Sequence, residues 1–464
     1  MTLQDRPSSS SAAQSRGLSA YVGSTQNHRQ AFGPDEYLAR SVVGHAGPRG
    51  PVAALHGLLL MLVLPFAVLW IPLVNAPGLG NLTILDCLMV LLWFTTLLEF
   101  GPRWHKSCNE KRALRIVVYA CAPALLGCIG ALAFDSQSRL TTDVLQHAKR
   151  FGLPAILPLA LLMAAGRYLP RVRAMAVASV AIMVLIPFTP MAALLPIGDV
   201  RNGDLAKARG VGSLSNPNEF GYIGLLGAMI GASHVAGERC KRLRRRWWAS
   251  AALVLGLAAV VMSGSRSAMA AALAAAVYLV FHSQSSVAKK LSVAAILIAA
   301  MIVGWLGSPV YQDRMAMTVE QRIQDPNIFA RIEAQSIAFR TWLHHPLGVG
   351  FSNLPAATAE FSQNAQSFTA LEGSDSIYFD FLAATGALGV LCVILCFRNC
   401  WKLAEFRRLP VEATYLKAGM VAAFVFGLAA VAPASYCVAP FFFSTAGLTG
   451  CLRREYSIKE VRRA

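Results

Sequence analysis

The sequence predicts an all-α, polytopic integral membrane protein of about twelve transmembrane helices with one long loop on the outer side. Three observations predict it. Only 14% of the 464 residues are charged and 55% are hydrophobic, whereas a soluble domain carries about 25% charged residues. The mean hydropathy is +0.51. Apolar runs long enough to cross about 30 Å of hydrocarbon recur along the chain, and the basic residues between them fall mostly on one side.

Residues 1–50 are rich in Ser, Gly and Gln, carry scattered Arg and lack an apolar core. They read as a disordered cytoplasmic tail and not as a cleavable signal. Candidate helices follow at 52–74, 82–100, 113–133, 151–166, 174–196, 219–236, 247–263, 267–282, 291–307, 376–397, 413–431 and 434–450, forming a transmembrane domain over 51–450. Several are short or interrupted by glycine. Between 247 and 282 the polar break is only Ser263-Gly264-Ser265-Arg266-Ser267. Residues 451–464 complete the chain as a basic cytoplasmic tail.

Orientation follows from the charges. With the first tail inside and sides alternating, every short inside loop is basic, as at Arg239 to Arg246 and Arg398 to Lys417. The positive-inside rule therefore places both termini in the cytoplasm. The net charge of +18 is then mostly topology and calls for no nucleic-acid partner. The ten cysteines lie in apolar runs or beside basic loops and form no CxxC pair, so neither a disulfide framework nor a zinc site is indicated.

The informative polar segments lie outside. The longest connection is 308–375, and loops of that length are functional or carry short helices of their own. Its four basic residues are all arginine, Arg314, Arg322, Arg331 and Arg340, as is Arg266 in the break at 263–267. Arginine presents a planar fork suited to phosphate and carboxylate. Exposed arginines also pair with nearby acids, here Asp199, Asp204, Asp313, Glu320, Asp325 and Glu333, as ordinary solvated ion pairs. Arg266 is harder to dismiss, because a charge between two apolar runs is costly unless it has a partner or a function. In the stretch from Arg209 to Gly221, Asn216-Pro217-Asn218 leads from loop into helix. Asn216 or Asn218 can cap that helix, and the helix N-terminus also suits an anion.

Four motifs, taken in order, resemble the bacterial O-antigen ligase and Wzy-type polysaccharide polymerase superfamily. They are the RG…NPNEFG stretch from Arg209, SGSRSA at 263–268, Arg331 with His345-Pro346-Leu347-Gly348-Val349-Gly350, and Tyr378 with Gly386-Ala387-Leu388-Gly389. The resemblance spans roughly 200–395. It implies a multi-helix glycosyltransferase of the bacterial inner membrane, acting at the periplasmic face. The reaction implied is transfer of a glycan from an undecaprenyl-pyrophosphate carrier to a sugar hydroxyl, with no nucleotide sugar, cofactor or essential metal. Ligases of this family typically read His-Asn-x-Tyr-Leu at the end of the long loop, eleven residues before a Gly-x-x-Gly helix. This chain has Asp375-Ser376-Ile377-Tyr378-Phe379 in that register. The departure shifts weight from ligation toward polymerisation of exopolysaccharide, capsule or O-antigen repeat units. His345 reads as structural rather than catalytic.

The chemistry assigned on that basis is specific. Arg209, Arg266 and Arg331, with Asn216 and Asn218, would hold the pyrophosphate, and the arginines would neutralise charge developing on it. Asp375 would accept a proton from the acceptor hydroxyl or orient it; it can equally cap the following helix. The outside loops offer no DxD pair for Mg²⁺. Asp380 is expected to face the interior and bind a polar group, and Asp86 and Glu99 to snorkel or pair. Phe441-Phe442-Phe443 and Trp247-Trp248 read as lipid-facing or interfacial. Partners would be the lipid-linked glycan, membrane lipid and a chain-length regulator or export complex. A transporter or flippase would instead require Asp86, Glu99, Asp380 and Lys417 to converge at the membrane centre. A non-catalytic assembly subunit would scatter the three arginines.

Overall fold

A computed structural model describes residues 50–69, 71–76, 80–100, 108–135, 140–164, 168–186, 214, 216–236, 243–282, 326–361, 374, 376–406, 410–429 and 437–463, with isolated helical positions between 288 and 312. The N-terminal tail, most of the expected span at 291–307, Arg209 and Asp375 lie outside those residues.

Helix α1 (Pro51–Leu69) ends earlier than its apolar run. Pro72 disfavours helical backbone at the preceding residue, and the chain instead forms an antiparallel hairpin, β1 (Pro72–Ala76) with β2 (Gly80–Thr83), in which Asn75 faces Asn81. Helix α2 (Ile84–Phe100) follows at once. Thr83 and Asp86 form a capping box: the Thr83 amide donates to Asp86 Oδ2 at 2.7 Å and the Asp86 amide donates back to Thr83 Oγ1 at 3.4 Å. Helix α3 (Cys108–Phe134) is long and apolar. The span expected at 151–166 is not one regular helix: after α4 (Leu140–His147), a π turn (Ala148–Gly152) and a 3₁₀ turn starting at Pro154 lead into α5 (Leu157–Met163), with Pro158 in its first turn. Helix α6 (Leu169–Leu185) starts five residues before its apolar run because Pro170 suits the first turn.

The centre of the fold is α7 (Pro217–Ala236), buried continuously from Phe220 to Ser233 and packed against α6, α8 (Leu243–Met262), α13 (Val411–Ala429) and α14 (Val438–Arg463). Small residues let α7 and α8 approach closely: a Cβ on Gly224 would lie 2.8 Å from the Gly256 carbonyl. Helix α9 (Arg266–His282) packs on α13. The long connection expected at 308–375 carries α10 (Pro326–His344) and the short α11 (Leu354–Ala359). Helix α12 (Ile377–Leu403) packs along α3.

Among the described residues, Pro51–Leu69, Cys108–Phe134, Ile377–Leu403 and Val411–Leu428 are long and apolar enough to cross a membrane, and Ser250–Met262 and Arg266–His282 are shorter apolar helices. Residues 451–463, the expected tail, are helical and continue α14 to Arg463. One expectation is corrected. Phe441, Phe442 and Phe443 are not lipid-facing: all three are buried. Phe442 stands edge-on to Phe397 at 5.2 Å, and Phe443 lies 5.4 Å from Phe151. Their helix is enclosed by neighbours, which hydropathy alone does not reveal. Trp247 and Trp248 are exposed, as an interfacial pair should be.

Candidate functional site

The break at 263–267 is a tight reversal. Gly264 takes a left-handed φ of 55° after α8, the conformation that ends many helices and that glycine adopts without strain. Ser265 then caps α9, its hydroxyl accepting from the Ala268 amide at 3.2 Å. The same hydroxyl donates to Asn218 Oδ1 at 2.8 Å. On α7, Asn216 Oδ1 accepts from the Asn218 amide at 2.8 Å, with Pro217 at the first helical position. The starts of α7 and α9 are thereby tied side by side, and a Cβ on Gly221 would reach within 2.9 Å of Ala268 Cβ.

Arg266 is the first residue of α9 and half-buried. Two helix N-termini and a guanidinium at one point favour negative charge. Asn216 and Asn218 have a structural share in this: the hydrogen bonds of their side-chain oxygens hold the turn, as capping reasoning expects.

On a separate helix, α10, which is tied to the C-terminus of α13, lies Arg331. One turn beyond it, Gln335 donates to the Leu428 carbonyl at 3.5 Å. The neighbouring carbonyl, Gly427, accepts from the Ser376 hydroxyl at 3.3 Å. Phe426, just before them, stacks on Tyr222 of α7 at 4.4 Å. The C-terminus of α13 therefore joins α10, the start of α12 and the start of α7. Asp375 itself lies outside the described residues, but its flanks are pinned. Ser374 and Ser376 are buried, and the Ser374 amide donates to Asp380 Oδ1 at 2.7 Å. Asp380 thus faces inward on a polar partner, as expected of it.

The HPLGVG run has a definite task. Helix α12 is kinked at Gly386, φ 69° and ψ −172°, a backbone region open essentially to glycine alone. The kink frees carbonyls that a regular helix would satisfy internally. The Val349 amide donates to the Ala383 carbonyl at 3.0 Å and the Gly350 amide to Ala384 at 2.9 Å. Gly348, φ 85°, and Gly130 of α3 complete the close approach: a Cβ on Gly130 would lie 2.7 Å from the Gly348 carbonyl. His345 stands edge-on to Phe134 at 5.1 Å, which suits the structural reading of that residue.

One cation was missed. Lys149 pairs with Asp86 at 3.3 Å. No signal in a single sequence links residues 86 and 149 across two helices. Of the four charges a transporter would gather, Lys417 and Asp380 lie far apart. Lys417 lies over the Trp401 ring at 4.4 Å, and Trp401 is about 32 Å along α12 from Asp380 at 1.5 Å per residue. Among the described residues no group of three His, Cys, Asp or Glu is placed to hold a metal ion.

A family model described as O-antigen ligase matches residues 251–394, a segment that includes Arg266, Arg331 and the kink at Gly386. No curated protein matches the chain.

Proposed function

We propose that this chain, whose residues 251–394 match a family model described as O-antigen ligase, belongs to the O-antigen ligase and Wzy-type superfamily and is a polymerase of polyprenyl-pyrophosphate-linked oligosaccharide repeat units at the periplasmic face of the inner membrane. The observation that carries the reading is Arg266 at the joined N-termini of α7 and α9. Charge leaving on a diphosphate needs fixed positive partners, and preorganised ones act without reorganisation at the moment of reaction.

In this reading the acceptor hydroxyl oxygen attacks the anomeric carbon of the donor. The bond from that carbon to the pyrophosphate oxygen breaks, and the lipid pyrophosphate leaves onto Arg266, Arg331 and Arg209. The hydroxyl proton passes to Asp375. Arginines take the place a divalent ion has in other glycosyl transfers. Ligation onto a lipid acceptor is the second reading, favoured by the description of the matched family; the two share a donor and differ in acceptor. The absent ligase-type histidine at Asp375 supports the polymerase.

A deletion strain complemented with wild type or Arg266→Ala tests both. Lipid-linked glycans are separated by size and the surface polymer is followed. Single repeat units accumulating on the outer-facing carrier, with polymer lost, support the polymerase. Long polymer that stays on the carrier identifies a ligase, and units trapped on the cytoplasmic face identify a flippase.

A further inference from the structure

Helix α10 is apolar on the face it turns away from the protein as well as on the face it packs. Ala334, Ile337, Ala338 and Thr341 are buried. The opposite side carries Phe329, 58% exposed, Ile332, 52%, Phe339, 41%, and Leu343, 56%. Their spacing places them in one stripe along a 3.6-residue helix. A helix in a water-bathed loop would show polar residues there, and so large an uncovered apolar stripe marks an interaction surface.

Its surroundings say what covers it. The stripe continues past the helix end into Leu347, 57% exposed, in the loop bonded to the kink of α12. The Leu347 carbonyl would lie 2.9 Å from a Cβ on Gly130. Beside Gly130 on α3, Ile129 and Leu132 are exposed, and below the kink on α12 so are Leu388 and Leu391. Helices α3 and α12 have the length and apolarity to cross a membrane, so these side chains are lipid-facing. The kink lies about nine residues, roughly 14 Å, along α12 from its outer start. The exposed side of α10, apolar apart from Ser336 within it and His344 at its end, thus adjoins the lipid-facing surface, and Arg340, exposed, borders it where a guanidinium meets head-group phosphate.

We propose that α10 is an interfacial helix lying in the outer leaflet of the bilayer, with Phe329, Ile332, Phe339 and Leu343 sunk among the head groups and upper acyl chains. This rests on the chain being a membrane protein and not on its glycosyl transfer. Where both hold, the helix keeps Arg331 at the depth of the carrier's phosphates.

The test uses the full-length protein in vesicles of phosphatidylethanolamine and phosphatidylglycerol. A benzophenone amino acid replaces Ile332 or Leu343, with Ala338 as the buried control, and the adducts formed on irradiation are identified by mass spectrometry. Lipid adducts at 332 and 343, with only intramolecular products at 338, are expected. Products joining two copies, or no lipid adduct at 332 and 343, overturn the proposal. Hydroxyl-radical footprinting of the unsubstituted protein in the same vesicles avoids any folding defect of the variants. Phe329 and Phe339 should remain as unoxidised as buried Phe441; oxidation at the rate of a water-exposed ring overturns the proposal equally.

Discussion

Gly386→Ala tests how the outer loop is fastened to the membrane-spanning part. At φ 69° and ψ −172° an alanine adopts a backbone that costs about 1–3 kcal/mol. Its Cβ would also meet the Pro346 carbonyl at 2.5 Å and the Leu347 carbonyl carbon at 3.2 Å, backbone atoms that cannot rotate away. If the helix straightens instead, Ala383 and Ala384 recover internal donors and the Val349 and Gly350 amides are released. The two hydrogen bonds that the loop loses and the two that the helix regains, roughly 1 kcal/mol each, offset one another, so the relieved strain of about 1–3 kcal/mol favours the opened loop. Hydrogen exchange of the 346–351 peptide in reconstituted protein measures this directly. At about 1.4 kcal/mol per tenfold change, exchange should accelerate by at least roughly 5-fold. Gly419→Ala is the control, since the nearest atom to its added Cβ is the flexible Leu226 Cδ2 at 3.3 Å; its peptide should change little. Equal protection of the 346–351 peptide in wild type and Gly386→Ala would refute the account of the kink.

Other outcomes can be measured in the same system. Arg266→Lys and Arg331→Lys should each lose most polymerisation despite the retained charge, because an ammonium lacks the two-pronged fork; full turnover in both at normal protein levels removes the clamp. Asp375→Asn should be slow at every pH where the wild type works with a deprotonated carboxylate, and an unchanged rate leaves Asp375 as a cap alone. Ser265→Ala removes the hydroxyl shared by α9 and Asn218 and should lower stability by about 1 kcal/mol while raising the donor KM; Ser265→Thr should restore both. Lys149→Met leaves the buried Asp86 carboxylate without its cation and should destabilise by about 3 kcal/mol. Denaturation of the Asp86→Asn, Lys149→Met double variant should show most of that loss recovered, and an additive loss would mean that the pair is not coupled.

The all-helical, apolar character was legible in the sequence because a bilayer imposes simple rules on the lengths of apolar runs, four of which recur as helices long enough to cross it among the described residues, and Asn216-Pro217-Asn218 announces a helix start wherever it occurs. What stayed hidden depends on neighbours. Phe441 to Phe443 have the composition of a lipid-facing face and are buried because α14 is enclosed, a fact about other helices. The short, broken course from Leu140 to Met163 includes Pro154 and Pro158, yet the run around them is apolar enough to pass as one span. The pairing of Asp86 with Lys149 joins helices far apart in sequence. The seats of α10 and of the start of α12 are likewise invisible, since they depend on single backbone carbonyls at Leu428 and Gly427 respectively.

Those two carbonyls explain how helices far apart in sequence are held at one place. A helix C-terminus has carbonyls with no internal donor, and α13 offers its last ones to Ser376 and Gln335, hydrogen bonds that hold the start of α12 and the helix of Arg331. Just before them, Phe426 stacks on Tyr222 of α7, whose own start is bonded to the cap of Arg266. Helix N-termini and guanidinium groups do not gather by their own attractions, and a separate frame of hydrogen bonds and ring stacking on α13 holds the helices that carry them. Under the proposed function Arg266 and Arg331 are coupled through that frame, so the loss of donor binding in the double variant should depart from the sum of the two single losses.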